Sequence, residues 1–196
     1  MSPRRRRRKA GGVLLFPGAG SAASHPSLLA IEAALAPMPV SRADFPYRRE
    51  GRRAPDRAPK LLASVVEEAA RLATEADVEP AQIILGGRSM GGRICSMAVA
   101  DGLPAAGLVL ICYPLHPPGQ PEKLRIDHLP ALEVPCLFIS GTRDAFGTPD
   151  ELEQHTQAIP GEVTHLWLQA KGHDLKGCDD QIAAATAGWV GALNQQ

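Results

Sequence analysis

Gln82-Ile83-Ile84-Leu85-Gly86-Gly87-Arg88-Ser89-Met90-Gly91-Gly92 is the stretch on which the reading of this chain turns. Its first four residues form a short apolar, β-branched run bounded by glycine, which suits a buried strand. Over 89–101 apolar and small residues recur at helical spacing, so a helix follows directly. Between strand and helix lies G-x-S-x-G. A turn that tight leaves no room for a Cβ at Gly87 or Gly91 against neighbouring backbone, hence the glycines. Strand, sharp turn and helix together lift a hydroxyl out at the carboxyl edge of a sheet, the setting a nucleophilic Ser89 requires. The plainer reading is a glycine-rich loop that only lets a helix pack close.

The rest of the chain repeats the same alternation. Short β-prone runs fall at 13–16, weakly at 40–45, and at 82–85, 107–111, 136–140 and 165–169. Helical spacing appears at 26–35, 59–76, 89–101, 150–158 and 181–193. In the second of these, Leu61, Leu62, Val65, Val66, Ala69 and Leu72 form one apolar stripe. The pattern predicts an α/β fold with a mostly parallel sheet of about six strands flanked by helices. The Arg/Pro-rich stretch 45–59 has no period and reads as a long loop. No second core is evident, which leaves one domain over 11–196 with no cap domain, preceded by a disordered basic arm at 1–10.

Charge and composition narrow the function. The 196 residues carry 21 Lys+Arg and 21 Asp+Glu, but Arg4 through Lys9 supply six of the basic ones. Without them the body holds 15 basic against 21 acidic residues, a net charge of −6. Such a body does not suit nucleic-acid binding. No apolar run approaches the roughly 18–20 residues that span a bilayer. Only Val13 to Phe16 follow the basic start, too short for a secretory signal, so a cytoplasmic location is expected. Cys95, Cys112, Cys136 and Cys178 are widely spaced, without the C-x-x-C pairs of zinc or redox sites, and read as plain reduced thiols. A second arginine cluster, Arg48, Arg49, Arg52, Arg53 and Arg57, reads equally as a solvated loop or an anion-binding rim.

A serine hydroxyl needs a base, and the base needs a carboxylate to orient it. In this architecture they follow in the order Ser, Asp or Glu, then His, each after a later strand. Asp144 follows the run 136–140 and His173 follows 165–169, so both land at carboxyl strand ends. Asp150 reads as a helix cap, and Asp174 is too close in sequence to His173 to reach its far ring nitrogen. His155 and His165 fall inside a helix and a strand. His116 and His128 follow the run ending at Ile111 but do not close the expected order. A tetrahedral oxyanion needs two main-chain N–H donors. Met90 supplies one, and the loop Pro17-Gly18-Ala19-Gly20 the other, at Ala19. His25, Tyr47, Arg48, Tyr113 and His116 are candidate substrate-binding rim residues.

These motifs, PGAGSAASHP, DFPYRR, GRRAPDR, LGGRSMGGR, ICYPLHPPGQPEKLR, LFISGTRDAFG and KGHDL in that order, resemble the α/β-hydrolase superfamily. They are most similar to its small lidless branch, the testis-expressed and histone-acetyltransferase-complex-subunit α/β-hydrolase-like family, grouped near the dienelactone hydrolases. The likeness runs from Val13 to Trp189. It implies Ser89 as nucleophile, Asp144 as acid, His173 as base, and Ala19 and Met90 as the oxyanion hole. It implies hydrolysis of a small or exposed carboxylic ester, thioester or lactone through an acyl-enzyme, with no metal and no organic cofactor. The same resemblance includes members that act as scaffolds, so a non-catalytic binding or regulatory module is the alternative. Pro17-Gly18 departs from the His-Gly of many relatives, and the usual leading antiparallel strands are absent or reduced.

Overall fold

The computed structural model describes residues 9–195. Positions 1–8 of the expected basic arm lie outside the described residues. Ala10, at the end of that arm, is buried and exchanges two hydrogen bonds with the Asn194 side chain, at 2.7 and 3.3 Å.

In chain order the elements are β1 (Gly12–Phe16), α1 (Pro26–Leu35), β2 (Val40–Arg42), α2 (Pro46–Arg49), α3 (Ala58–Glu75), β3 (Ile83–Arg88) and α4 (Met90–Ala100). There follow β4 (Gly107–Ile111), β5 (Cys136–Gly141), α5 (Pro149–Thr156), β6 (Val163–Leu168) and α6 (Asp179–Gln195). All six strands are parallel, in the order β2-β1-β3-β4-β5-β6. The expected α/β-hydrolase sheet is therefore present, without a separate cap among the described residues.

Side chains alternate across a strand, and here both faces are dry. Leu14, Phe16, Leu85, Leu110 and Phe138 pack toward α3 and α4. Val13, Leu15, Ile84, Val109, Ile111 and Ile139 pack toward α1 and α6. Burying each such side chain contributes about 1.5–3 kcal/mol, so the central strands anchor the fold. The apolar stripe of α3 is seen as Leu61, Val65, Ala69 and Leu72, all buried. Val66, expected on the same stripe, is exposed instead, because one residue turns it about 100° round the helix from Val65.

One expectation is corrected. The stretch read as a loop contains the single-turn helix α2, started by Pro46, whose fixed φ suits a first helical position. Phe45 and Tyr47 pin it to the core, with the Phe45 ring 4.5 Å from that of Phe16. A single turn is too short to show a period in sequence, and packing supplies its stability. Arg49 and Arg52 in the same region bind Glu68, Glu50 and Asp56, which leaves them as members of a surface ion-pair network.

The order of strands also sets where a site can form. The chain leaves β1 toward β2 at one edge, then returns to β3 and proceeds to β6 at the other. With right-handed crossovers the connections diverge at β1 and β3, and a crevice opens at their carboxyl ends. Register places Phe16 beside Gly87, so the loop after β1 lies against the turn after β3.

Candidate active site

Ser89 stands at that crevice. Its φ of 47° and ψ of −115° put a non-glycine residue in a sparsely populated region, and its N–H is held by the Ile111 carbonyl at 2.7 Å. The glycines around it do what the sequence reading requires. Gly87 has φ 145°, and a Cβ there, or at Gly91, would overlap the Phe16 carbonyl oxygen. With its side chain uninvolved in capping α4, the Ser89 hydroxyl is left to a partner from another loop.

That partner is His173. Its Nε2 lies 2.9 Å from Ser89 Oγ, and its Nδ1 lies 2.8 Å and 3.0 Å from the two Asp144 carboxylate oxygens. A carboxylate accepts, so Nδ1 carries the proton and Nε2 faces the hydroxyl as an acceptor. Asp144 is buried, and its Oδ1 also accepts the Phe146 N–H at 2.9 Å. The imidazole stacks on Phe146 with ring centroids 4.0 Å apart. Loops after β5 and β6 are locked together because Gly141 and Leu168 are paired, and Arg143 N–H donates to the Lys171 carbonyl at 2.9 Å.

The other carboxylates and histidines fall elsewhere. Asp150 sits in the first turn of α5, and Asp174 accepts a 3.3 Å bond from the Lys176 N–H. His155 is in the last turn of α5; His165 in β6 meets Thr156 Oγ1 at 3.0 Å. His128 meets Ser96 Oγ at 2.8 Å, and burial, reinforced by Arg93, brings its pKa down to about 4.

The loop after β1 is close at hand. A Cβ at Gly18 would come within 3.5 Å of Ser89 Cβ, and Met90 opens α4 with its N–H at the positive helix end. The Tyr47 hydroxyl donates to the Ala19 carbonyl at 2.9 Å, and Ala23 N–H donates to Asp44 at 2.8 Å.

The residues expected at the rim divide. His25 is half-buried and caps α1, its Nδ1 accepting the Ser27 N–H at 3.2 Å; burial, then Arg88, lowers its pKa. Arg48 is half-buried on α2. Tyr47 and Tyr113 do not sit at a rim: they are 0% and 1% exposed. Tyr113 donates its hydroxyl to the Arg125 carbonyl at 2.6 Å, and burial pushes its phenol pKa up. His116 is also buried, held by the Pro117 carbonyl at 2.8 Å with Glu151 3.5 Å away. Tyr113 packs on Phe138 and Tyr47 on Phe45, which draws both rings into the core.

Phe146 and Cys112 adjoin the site although the sequence reading gave them no part in it. A lone aromatic in a loop carries no pattern, whereas Cys112 was legible only as a core thiol. Ligand atoms of Cys112, Asp144 and His173 lie within 4.8 Å of one another. Burial raises the Cys112 pKa to about 12, so its thiol is neutral. Asp144 and His173 are already bonded to each other.

A parallel sheet in this order, with a serine at a strained elbow bonded to a later histidine and acid, defines the α/β-hydrolase class. The chain belongs to the family described as alpha/beta hydrolase domain, whose family model matches residues 9–189. Solved structures agree on the fold. A protein of the alpha/beta hydrolase superfamily from Xanthomonas campestris pv. campestris is similar at 21% identity and TM-score 0.68, over 93% of this chain and 99% of its own. A dienelactone hydrolase from Anabaena variabilis is similar at 18% identity and TM-score 0.73, over 94% and 87%. Est1E from Butyrivibrio proteoclasticus is similar at 13% identity and TM-score 0.74, over 99% and 92%.

Proposed function

We propose that this hydrolase-like protein is a serine hydrolase acting on a small or exposed carboxylic ester, thioester or lactone. The observation that carries this reading is the unbroken hydrogen-bonded chain from Ser89 through His173 to Asp144. His173 Nε2 takes the Ser89 proton as Oγ attacks the acyl carbonyl, while Asp144 holds the tautomer and steadies the imidazolium. Main-chain N–H groups of Ala19 and Met90 receive the oxyanion. His173 then returns the proton to the leaving alcohol or thiol, giving the acyl-enzyme. A water molecule, deprotonated by His173, releases the acid and regenerates Ser89.

Ser89 and His173 are both partly exposed, which supports an accessible acyl group as substrate. His25 and Arg48 are the rim residues for it. None of the described helices is long and apolar enough to cross a membrane. The four cysteines are free and buried, which suits a reducing compartment, and we assign the chain to the cytoplasm with a small-molecule acyl substrate as its partner.

The test is a panel of short and long acyl esters, with fluorophosphonate labelling, on wild type and Ser89→Ala. Hydrolysis and labelling lost in Ser89→Ala support the proposal. Folded wild type that neither labels nor hydrolyses any ester overturns it in favour of a binding module.

A further inference from the structure

Arg88 occupies the variable position before Ser89 in G-x-S-x-G, and the chemistry above gives it no task. It is 6% exposed. Alternation along β3 turns it to the same face as Ile84, toward α1 and α6. There Nη2 donates to the main-chain carbonyls of His173 at 3.3 Å and Asp174 at 2.9 Å. Nη1 donates to Ser27 Oγ at 3.4 Å, and that hydroxyl lies 2.9 Å from His25 Nδ1. Its partners among the described residues are thus two carbonyls and a hydroxyl, with no carboxylate in ion-pair contact.

A buried guanidinium without a counter-ion is costly, and an apolar chain of similar size would fill the space more cheaply. The placement has a geometric reason. His173 follows β6, whereas Ser89 follows β3, so the loop must return across three inter-strand spacings, about 14 Å. That loop, 169–178, is irregular and includes Leu175 at φ 48° and Gly177 at φ 74°. The carbonyls that Arg88 engages belong to His173 itself and its neighbour, at the point where the loop must stop.

We infer that Arg88 is a positioning residue: its guanidinium fixes the His173 main chain so that Nε2 meets Ser89. Through Ser27 it ties the same point to the first turn of α1, the helix that follows the oxyanion loop. It touches no reacting atom and acts through His173. Only its effect on rate rests on the hydrolase reading; the positional role stands apart from it.

The experiment compares full-length wild type, Arg88→Met and Arg88→Lys, each checked for folding by thermal melting. Two readouts are taken: the limiting rate of Ser89 labelling by a fluorophosphonate, and the downfield proton NMR signal of His173 Nδ1–H, assigned by its loss in His173→Gln. Folded Arg88→Met is expected to label at least about tenfold more slowly, since an ångström of misplacement costs on that order or more. Its Nδ1 proton is expected to broaden away, and Arg88→Lys to recover both in part. A sharp, unshifted Nδ1 signal in folded Arg88→Met overturns the inference, as does the absence of that signal in wild type. Should Arg88→Met fail to fold, Arg88→Lys decides: wild-type rate and signal there overturn it, because the fork that joins the two carbonyls to Ser27 is gone. The proton reports on His173 even if Ser89 turns over no ester.

Discussion

The Tyr47 hydroxyl donates a 2.9 Å hydrogen bond to the carbonyl of Ala19, linking the short helix α2 to the loop beside Ser89. A tyrosine that is 0% exposed with its single polar atom on a glycine-flanked loop holds that loop's backbone orientation. Tyr47→Phe leaves the Ala19 carbonyl without this donor. The expected stability loss is about 0.5–1.5 kcal/mol in urea unfolding. On the proposed mechanism, with the Ala19 N–H as oxyanion donor, hydrolytic kcat is expected to fall several-fold with KM nearly unchanged, because such a donor acts in the transition state.

Strain at the elbow gives a second prediction. Ser89 holds φ 47°, a conformation that glycine adopts freely. Ser89→Gly should raise unfolding stability by about 1 kcal/mol and abolish fluorophosphonate labelling. Equal or lower stability would show that the elbow is not strained in solution.

Gly87 should tolerate nothing larger. A Cβ there would overlap the Phe16 carbonyl oxygen, main chain that cannot move without breaking the β1–β3 pairing. Gly87→Ala is expected to lose more than about 3 kcal/mol of stability, at the upper end of overpacking effects. Gly188→Ala, where a Cβ meets nothing within 4 Å, is the matched control on α6.

Stability should also depend on pH through His128. Its pKa falls to about 4 on folding, from the ordinary 6.5 of a free imidazole, through burial and then Arg93, against smaller opposing effects of Asp127 and Asp101. Between these values the unfolded chain binds the extra proton. This contribution is fully present above pH 6.5 and is lost as pH falls toward 4, with a slope of no more than about 1.4 kcal/mol per unit. His25 and His165 are shifted the same way. Unfolding free energies measured from pH 7 to 4 should therefore decline less steeply in His128→Gln than in wild type.

Thiol chemistry is the simplest check on the core. Cys95, Cys112, Cys136 and Cys178 are free and buried, and burial raises Cys112 and Cys136 to about 12. A disulfide exchange reagent should find no fast-reacting thiol in the native protein and four in urea.

Much of this was legible before folding. The strand Gly107–Ile111 and the helix Pro26–Leu35 have the bounds that apolar spacing suggests, whereas β6 begins two residues earlier than read, at Val163. Its half-exposed edge position weakens the apolar signal. Ser89, Asp144 and His173 could be selected because each follows a strand run, and parallel strands deliver such residues to one edge. The helix α2 was not legible, since one turn has no period, and Tyr113 and His116 could not be told from rim residues by type alone.

Local chemistry therefore determined the strand-turn-helix at Ser89, the glycines around it and the alternating elements, because these depend on spacing and backbone sterics a few residues long. Tertiary structure alone decided that the Tyr47 hydroxyl secures Ala19, that Phe146 stacks on His173, and that Arg88 faces the carbonyls of the returning loop. Those contacts join residues distant in sequence. Their geometry is set by strand order, register and which side of the sheet each helix covers, none of which is encoded in any single stretch of chain.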